Sequence, residues 1–210
     1  MLLRSLTLCF LLNGSVAASE LYSWHTFDTP VLSGKRYELR LHSRVRSRHE
    51  GQYLDQVRGG AVLRWDATPR LIPFAGIYFE PQQVRPREWT RARRFTAGLE
   101  SPFQLRGGAL TLTARLLVER LADSGHPDYT RYRSFARLDI GNRRVAPFLL
   151  NEWFAVRQGF HSVRNSGGLL FRLTPRLTVE GGYSYDIRRT FWGGDRQAIV
   201  TAIRWQPKAR

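Results

Sequence analysis

The sequence has one cysteine, two lysines and no long apolar segment. Cys9 lies within the first eighteen residues, which have the pattern of an export signal, so the mature chain would have no disulfide, thiolate nucleophile or cysteine-based metal site. No run of about eighteen apolar residues is present, which excludes a membrane-spanning helix. Apart from Lys35 and Lys208, every basic residue is arginine. The positive charge is therefore carried by guanidinium groups, which pair with carboxylates and phosphates in a bidentate fashion.

Residues 1–18 have the three parts of a secretory signal. Arg4 supplies the positive start, Leu6–Leu12 forms an apolar stretch, and Val16–Ala18 offers small residues at a cleavage site. We expect cleavage near Ala18. The mature chain would then consist of an N-terminal segment over 19–34, a β-barrel over 35–206 and a short tail over 207–210.

The net charge is strongly positive, at +16 from 33 basic and 17 acidic residues, and a hydrophobic content of 42% excludes a disordered tail. Such a basic chain would ordinarily suggest a nucleic-acid partner, which is bound by a basic patch or helix. Here the arginines recur at alternate positions over nearly every segment, behind an export signal. We therefore expect no nucleic-acid partner.

The segment Arg36–Arg46 places charged and apolar residues at alternate positions. Successive side chains of a strand point to opposite sides, so this period of two gives one polar face and one apolar face. The pattern recurs in ten segments, which are 35–46, 58–66, 70–80, 89–101, 108–121, 129–141, 144–156, 163–172, 176–186 and 196–206. Several exceed the roughly nine to eleven residues that cross a bilayer at a tilt. The sequence predicts an all-β, transmembrane, up-and-down antiparallel β-barrel of about ten strands, with twelve as the fallback.

The connections between these segments favour an even number of strands. Short turns alternate with longer, more polar connections such as 81–88 and Arg157–Ser162, as in exported barrels that keep both chain ends on the periplasmic side. Leu21–Asp28 has the composition of an eleventh strand, but an odd count would place the chain ends on opposite sides. Aromatic residues near the predicted strand ends would suit aromatic belts at the two membrane interfaces; they are Tyr37, Trp65, Trp89, Phe103, Tyr129, Trp192 and Trp205.

The arginine-bearing face is expected to point into the barrel, because an arginine facing lipid at mid-bilayer costs about 2–4 kcal/mol. The segments 70–80 and 144–156 are apolar on both faces and cannot be oriented from their pattern. The predicted interior ion-pair network consists of Arg36, Glu38, Arg40, Arg44, Arg94, Glu100, Arg115, Glu119, Arg131, Arg133, Arg137, Asp139, Glu152, Arg172, Glu180 and Arg196, with Asp186 as a further inward carboxylate.

These features predict a narrow lumen in the bacterial outer membrane. A barrel of about eight strands is filled by its own side chains, and a wide channel needs about sixteen strands. A barrel of ten strands would therefore leave little space in its interior. The role would be structural, or that of a narrow pore in which the excess of arginine favours anions. Outer-membrane lipid and lipopolysaccharide are the expected partners, the latter through arginines of the longer connections, which are Arg48, Arg85, Arg87, Arg157, Arg188 and Arg189.

Three short motifs resemble a family of bacterial outer-membrane barrels known as domain of unknown function 2490. They are Asn151–Phe154, the turn Leu170–Pro175 that leads into Leu177–Tyr183, and the arginine-bearing strand Arg91–Leu99. The family has no assigned activity, so the resemblance implies location and architecture, with the barrel-assembly machinery as a partner. Such barrels usually end on an aromatic residue, whereas here five residues follow Trp205.

No catalytic, cofactor or metal residues are predicted. The five histidines show no metal-ligand spacing, and His161-Ser162 is expected in a loop. Glu152 and Glu180 are carboxylates that a barrel hydrolase could use, although pairing with an interior arginine explains them more simply. Two alternatives remain: a soluble periplasmic β-barrel that binds a ligand, with its apolar face turned inward, and a hydrolase of the outer membrane.

Overall fold

A computed structural model describes residues 21–48, 53–85, 88–123, 126–141, 143–189 and 194–207. The expected signal over 1–18 and the last three residues of the tail lie outside this part. No helix within the described ranges is long and apolar enough to cross a membrane. The strands are β1 (Leu21–Ser33), β2 (Tyr37–Arg48), β3 (Tyr53–Trp65), β4 (Ile72–Phe79), β5 (Gln82–Arg85), β6 (Glu88–Thr90), β7 (Ala92–Leu105), β8 (Leu110–Asp123), β9 (His126–Ile140), β10 (Val145–Val156), β11 (Gly159–Thr174), β12 (Leu177–Arg188) and β13 (Arg196–Trp205).

Eleven of these strands close into a barrel in the order β1-β2-β3-β4-β7-β8-β9-β10-β11-β12-β13. Neighbouring strands are antiparallel except for the closing pair, in which Leu21–Asp28 of β1 runs parallel to Gln197–Arg204 of β13. The short strands β5 and β6 form a hairpin that joins the edge of β3 at Gln56. The all-β, closed and largely antiparallel architecture is therefore confirmed.

The barrel has eleven strands, which is close to the expected number of about ten with twelve as the fallback. All ten predicted segments overlap strands, but Leu21–Ser33 is an additional strand and not an N-terminal segment outside the barrel. The argument from parity assumed that the barrel closes with an antiparallel pair. A parallel pair β1–β13 closes an odd number of strands, and the first and last strands then point the same way.

The two ends of the barrel differ in their connections. At one end, called the turn end, β1 leads into β2 through residues 34–36, and β11 leads into β12 through Pro175 and Arg176. At the opposite end, called the far end, β1 and β13 both begin. The expected long connection Arg157–Ser162 is a two-residue turn there, because β11 already begins at Gly159. The predicted alternation of short and long connections is therefore only partly present.

The outward side chains are apolar and the inward ones are charged. Leu116 is 64% exposed and Trp153 is 54% exposed, whereas Glu119 and Glu152 are 2% and 3% exposed. The charged side chains of neighbouring strands therefore point into the barrel. This orientation is the one expected from the cost of placing arginine in lipid, and it is opposite to the one that the soluble alternative requires.

Strands β4 and β10 present aromatic rings to the interior, which explains why both of their faces are apolar in the sequence. The Arg115 guanidinium lies 5.0 Å from the Phe74 ring centre, and that of Arg137 lies 4.5 Å from Phe148. Phe154 is contacted by three guanidinium groups, those of Arg131, Arg133 and Arg164. Cation–π contacts of this kind let an interior surface be apolar and still accommodate arginine.

Four of the aromatic residues expected in the aromatic belts lie on the outer wall at the turn end; they are Tyr37, Trp65, Phe103 and Trp205. Trp89 is outward near the far end. Tyr129 was predicted wrongly, because it has the same parity along β9 as the inward Arg131 and pairs with the buried Leu121. Trp192 lies outside the described residues.

Two glycine pairs let strands β11 and β12 approach closely. Gly168 is opposite Gly182, and a Cβ atom at Gly168 would collide with the carbonyl oxygen of Gly181. A Cβ atom at Gly182 would likewise collide with the carbonyl oxygen of Gly167. The absence of Cβ atoms at these positions therefore permits the close approach of the two strands.

Candidate functional site

The interior contains a continuous chain of ion pairs that crosses most of the barrel wall. We call it the girdle, and its members in order are Arg58, Glu80, Arg94, Glu119, Arg133, Glu152, Arg164 and Asp186. It begins on β3 and ends on β12. Representative N···O distances are 2.8 Å for Arg94–Glu80, 3.1 Å for Arg94–Glu119 and 3.1 Å for Arg164–Asp186.

Each glutamate of the girdle is shared by two or more arginines. Glu80 accepts two hydrogen bonds from Arg58, at 3.0 and 2.8 Å, and one from Arg94. Glu119 is contacted by Arg131 at 2.6 Å in addition to its girdle neighbours. The arginines that share a glutamate lie on different strands, so each glutamate cross-links two or more strands. The links are strong because charge-assisted hydrogen bonds are stronger than neutral ones and these groups are buried.

Smaller ion-pair groups flank the girdle. Towards the turn end, Glu100 joins Arg64 and Arg115, and Arg40 lies between Asp28 and Glu38. A second group consists of Asp139, Arg137, Glu180 and Arg204, in which Arg137 reaches from β9 to β12. At the far end, Asp55 pairs with Arg46 and lies 3.7 Å from Arg48.

The girdle does not continue across strands β13, β1 and β2, a region that we call the gap. There, the Arg44 Nε group donates a hydrogen bond to the Thr26 hydroxyl at 3.3 Å, and the Arg196 guanidinium lies 5.2 Å from the Tyr22 ring centre. Neither arginine forms an ion pair with a carboxylate in the described part of the chain. Tyr22 and Trp24 are buried with Ala198 in a small apolar cluster of the same region.

A cavity of about 140 Å³ lies inside the barrel between the gap and the girdle. Arg44 and His42 line it from β2, and Arg58 and Arg133 line it from the girdle. Six arginines and three carboxylates line this cavity in all; they are Arg40, Arg44, Arg58, Arg64, Arg115, Arg133, Asp28, Glu100 and Glu119. The cavity wall is therefore positively charged.

Most of the residues predicted for the network come together as ion pairs. Those that do are Glu38, Arg40, Arg94, Glu100, Arg115, Glu119, Arg131, Arg133, Arg137, Asp139, Glu152 and Glu180. Four others do not form ion pairs within the described ranges. Arg36 is exposed in the turn before β2, and Arg172 donates to the Arg143 carbonyl oxygen at 2.5 Å. Arg44 and Arg196 belong to the gap.

Several members of the network were not predicted; they are Asp28, Arg46, Asp55, Arg58, Arg64, Glu80, Arg164 and Arg204. Asp28 was missed because β1 was left outside the barrel, and Asp55 because β3 begins five residues before the predicted segment. Arg46 has the same parity as Arg40 and Arg44 along β2, so the alternation itself contains the signal for it.

His161 and Ser162 lie within β11 and not in a loop as predicted. A bulge opposite Phe154 and Ala155 turns both side chains inward, and the His161 Nδ1 atom lies 3.0 Å from the Ser162 hydroxyl oxygen. Ser162 is only 1% exposed, which closes this hydroxyl to a substrate. In the described part of the chain, no group of three His, Cys, Asp or Glu side chains could hold a metal ion.

The fold and its ion-paired interior define a closed β-barrel protein. The chain belongs to the family described as protein of unknown function (DUF2490), whose model matches residues 22–197. No curated protein matches the chain. Among solved structures it is similar to an anion-selective porin from Comamonas acidovorans, with 12% identity and a TM-score of 0.41. The match covers 82% of this chain and 54% of the porin, so the chain spans about half of that protein's length.

Proposed function

We propose that this protein is a transmembrane barrel of the bacterial outer membrane that acts as a narrow pore preferring anions. The observation that carries the proposal is the separation of the two faces of the wall. Large apolar side chains such as Leu116 and Trp153 are exposed outside, and arginine is concentrated inside. Soluble proteins rarely expose contiguous apolar patches beyond a few hundred Å², so an apolar outer wall supports contact with lipid.

Strand length and aromatic position support the same location. The strands β7, β8, β9 and β11 have 14, 14, 15 and 16 residues, whereas roughly nine to eleven suffice to cross a bilayer at a tilt. The outward aromatics Tyr37, Trp65, Phe103 and Trp205 mark the turn end, as expected of residues at a membrane interface. The barrel-assembly machinery and lipopolysaccharide are proposed partners, the latter at far-end arginines such as Arg48 and Arg157.

The narrow and positive interior supports anion preference. Eleven strands are close to the number at which side chains fill a barrel, and the buried ion pairs of the girdle line the interior from β3 to β12. Arginines outnumber carboxylates around the remaining cavity. A fixed positive potential in a region of low dielectric constant raises the local concentration of anions and lowers that of cations.

The location can be tested by fractionating cells that express the full chain. We expect recovery in the outer membrane, extraction only with detergent, and a shift in gel mobility on boiling. Recovery as a detergent-independent periplasmic protein would contradict the proposal.

The pore can be tested with the mature protein in planar lipid bilayers under a tenfold KCl gradient. We expect small conductance steps and a reversal potential that has the sign of the chloride equilibrium potential. The double variant Arg44→Gln, Arg196→Gln should shift that potential towards zero, whereas Arg120→Gln on the outer wall should leave it unchanged. Cation selectivity, or no conductance at all, would overturn the pore.

A further inference from the structure

We propose that the gap in the girdle is a binding site for a small tetrahedral oxyanion of the phosphate or sulfate class, with Arg44 as its principal ligand. The inference deepens the proposed function and rests on it for the route by which an anion reaches the interior. Arg44, the arginine of the adjacent strand and the cavity between them provide the argument.

Arg44 and Arg58 are directly opposite each other in the pairing of β2 with β3. Like charges in this relation repel and destabilise a sheet unless an opposite charge lies between or beside them. Arg58 has such a partner, because it donates two hydrogen bonds to Glu80. Arg44 has the Thr26 hydroxyl instead, which is neutral. The pair as a whole therefore lacks one negative charge.

The surroundings of Arg44 increase this imbalance. Its charge interacts with the like charges of Arg58, Arg133 and Arg164, and with the opposite charge of Glu152. Glu152 is already shared by Arg133 and Arg164. No carboxylate of the described residues is therefore available to Arg44, and its guanidinium group has donors to spare, since arginine carries five N–H groups.

Two buried N–H groups beside the gap, Trp24 Nε1 and Arg164 Nε, have no hydrogen-bond partner within the described residues. Within the described residues, the buried side-chain atoms without a hydrogen-bond partner are Trp24 Nε1, Arg94 Nε, Arg164 Nε and Asp186 Oδ1. Three of these four are N–H groups. The Arg164 guanidinium lies 4.6 Å from the Trp24 ring centre, and Trp24 is one inward position from Thr26 on β1. A ligand that accepts hydrogen bonds matches this set, and one that donates them does not.

The cavity that Arg44 lines sets the size and shape of the ligand. A water molecule needs on the order of 10–15 Å³ of cavity, so about 140 Å³ holds a small anion with a few waters. A guanidinium fork fits the paired oxygens of a phosphate or sulfate, and this geometry favours oxyanions over the spherical chloride ion. A volume of about 140 Å³ is too small for larger phosphorylated molecules such as nucleotides.

Calorimetric titration of the mature protein in detergent micelles tests the site, with sodium phosphate and sodium sulfate as probes at constant ionic strength. We expect saturable binding of both probes, little heat from chloride, and weaker binding as sodium chloride is added. Arg44→Gln should weaken phosphate binding at least tenfold, and Arg44→Lys should weaken it less, because it keeps the charge and loses the fork. Arg172→Gln removes the same charge at the turn end of the same interior and should leave phosphate affinity within twofold.

A second variant keeps the test valid if Arg44→Gln does not fold. Thr26→Glu supplies Arg44 with a carboxylate from the chain itself and should abolish phosphate binding while Arg44 is still present. Equal phosphate affinity in the wild type and in either variant would overturn the site, as would the absence of phosphate binding to the wild type. Anion conductance without phosphate binding would overturn the site and leave the proposed pore. Phosphate binding without conductance would do the reverse.

Discussion

The girdle and the gap are two parts of one interior with opposite relations between arginine and carboxylate. From β3 to β12, each girdle arginine contacts at least one glutamate, and each glutamate contacts at least two arginines. Across β13, β1 and β2, Arg44 and Arg196 face a hydroxyl group and an aromatic ring. The same residue type therefore serves as a counter-ion that holds strands together in one region and as an available positive charge in the other.

The difference has an energetic basis. A buried ion pair contributes little beyond what well-packed apolar residues would, but removing one partner leaves an uncompensated buried charge, which costs about 3–5 kcal/mol. Girdle residues should therefore be sensitive to the loss of either sign. Arg44 and Arg196 have no carboxylate partner among the described residues, so their removal should leave no buried charge uncompensated, and the removal of Arg44 should relieve its repulsion with Arg58. Each variant below tests that contrast.

The largest effect is expected from Glu119→Gln. Glu119 is 2% exposed and lies within 3.1 Å of both Arg94 and Arg131. The amide keeps the shape of the side chain and removes the charge that both arginines require. We expect the free energy of unfolding to fall by about 3–5 kcal/mol, measured by urea titration in detergent with tryptophan fluorescence. An unchanged midpoint would mean that the girdle is not a structural element.

A pair of arginine substitutions compares the two regions directly. Arg94→Gln should lower the free energy of unfolding by about 2–4 kcal/mol, because Glu80 and Glu119 each lose one buried cationic partner and the link between them is broken. Arg44→Gln should change it by less than about 1 kcal/mol, or raise it, because a like charge opposite Arg58 is removed. The same titration measures both. Equal losses in the two variants would erase the distinction between girdle and gap.

Thr26→Glu is expected to convert the gap into a continuation of the girdle. Thr26 is opposite Arg44 in the pairing of β1 with β2 and already accepts its Nε hydrogen bond. A carboxylate there should raise the free energy of unfolding by about 1.5–3 kcal/mol, the range of a hydrogen bond to a charged group. Thr26→Gln, which has the same shape without the charge, is the matched control. If both variants destabilise the barrel equally, steric crowding and not charge determines the result.

Much of the wall was predictable from the sequence because alternation has a period of two and lipid strongly disfavours arginine. The strand β2 illustrates this: Arg40 and Arg44 face inward while Leu41 and Val45 face outward, as their order requires. Strands β4 and β10 escaped orientation because Phe74 and Phe154 are apolar yet inward. Their rings contact arginines on other strands, so the orientation of β4 and β10 depends on contacts between residues that are distant in the sequence.

The closure of the barrel was not predictable from alternation. Leu21–Ser33 has the composition of a strand, but no local pattern says that β1 pairs with β13 in parallel. Nor does the sequence of β2 say which of its arginines has a carboxylate. That depends on Glu80 reaching Arg58 while no described carboxylate reaches Arg44, which is a matter of register across several strands.

The smallest effect is expected at the surface pair Arg120–Asp128, where the N···O distance is 3.2 Å and both side chains are about half exposed. Its distance is close to those of the girdle, so Asp128→Asn tests whether geometry or burial gives an ion pair its strength. Exposed pairs contribute about 0–1 kcal/mol because water solvates both charges. We therefore expect Asp128→Asn to change the urea midpoint little, and not to change it at all in high salt. A loss as large as that of Glu119→Gln would show that enclosure is not what separates the girdle from the rest of the barrel.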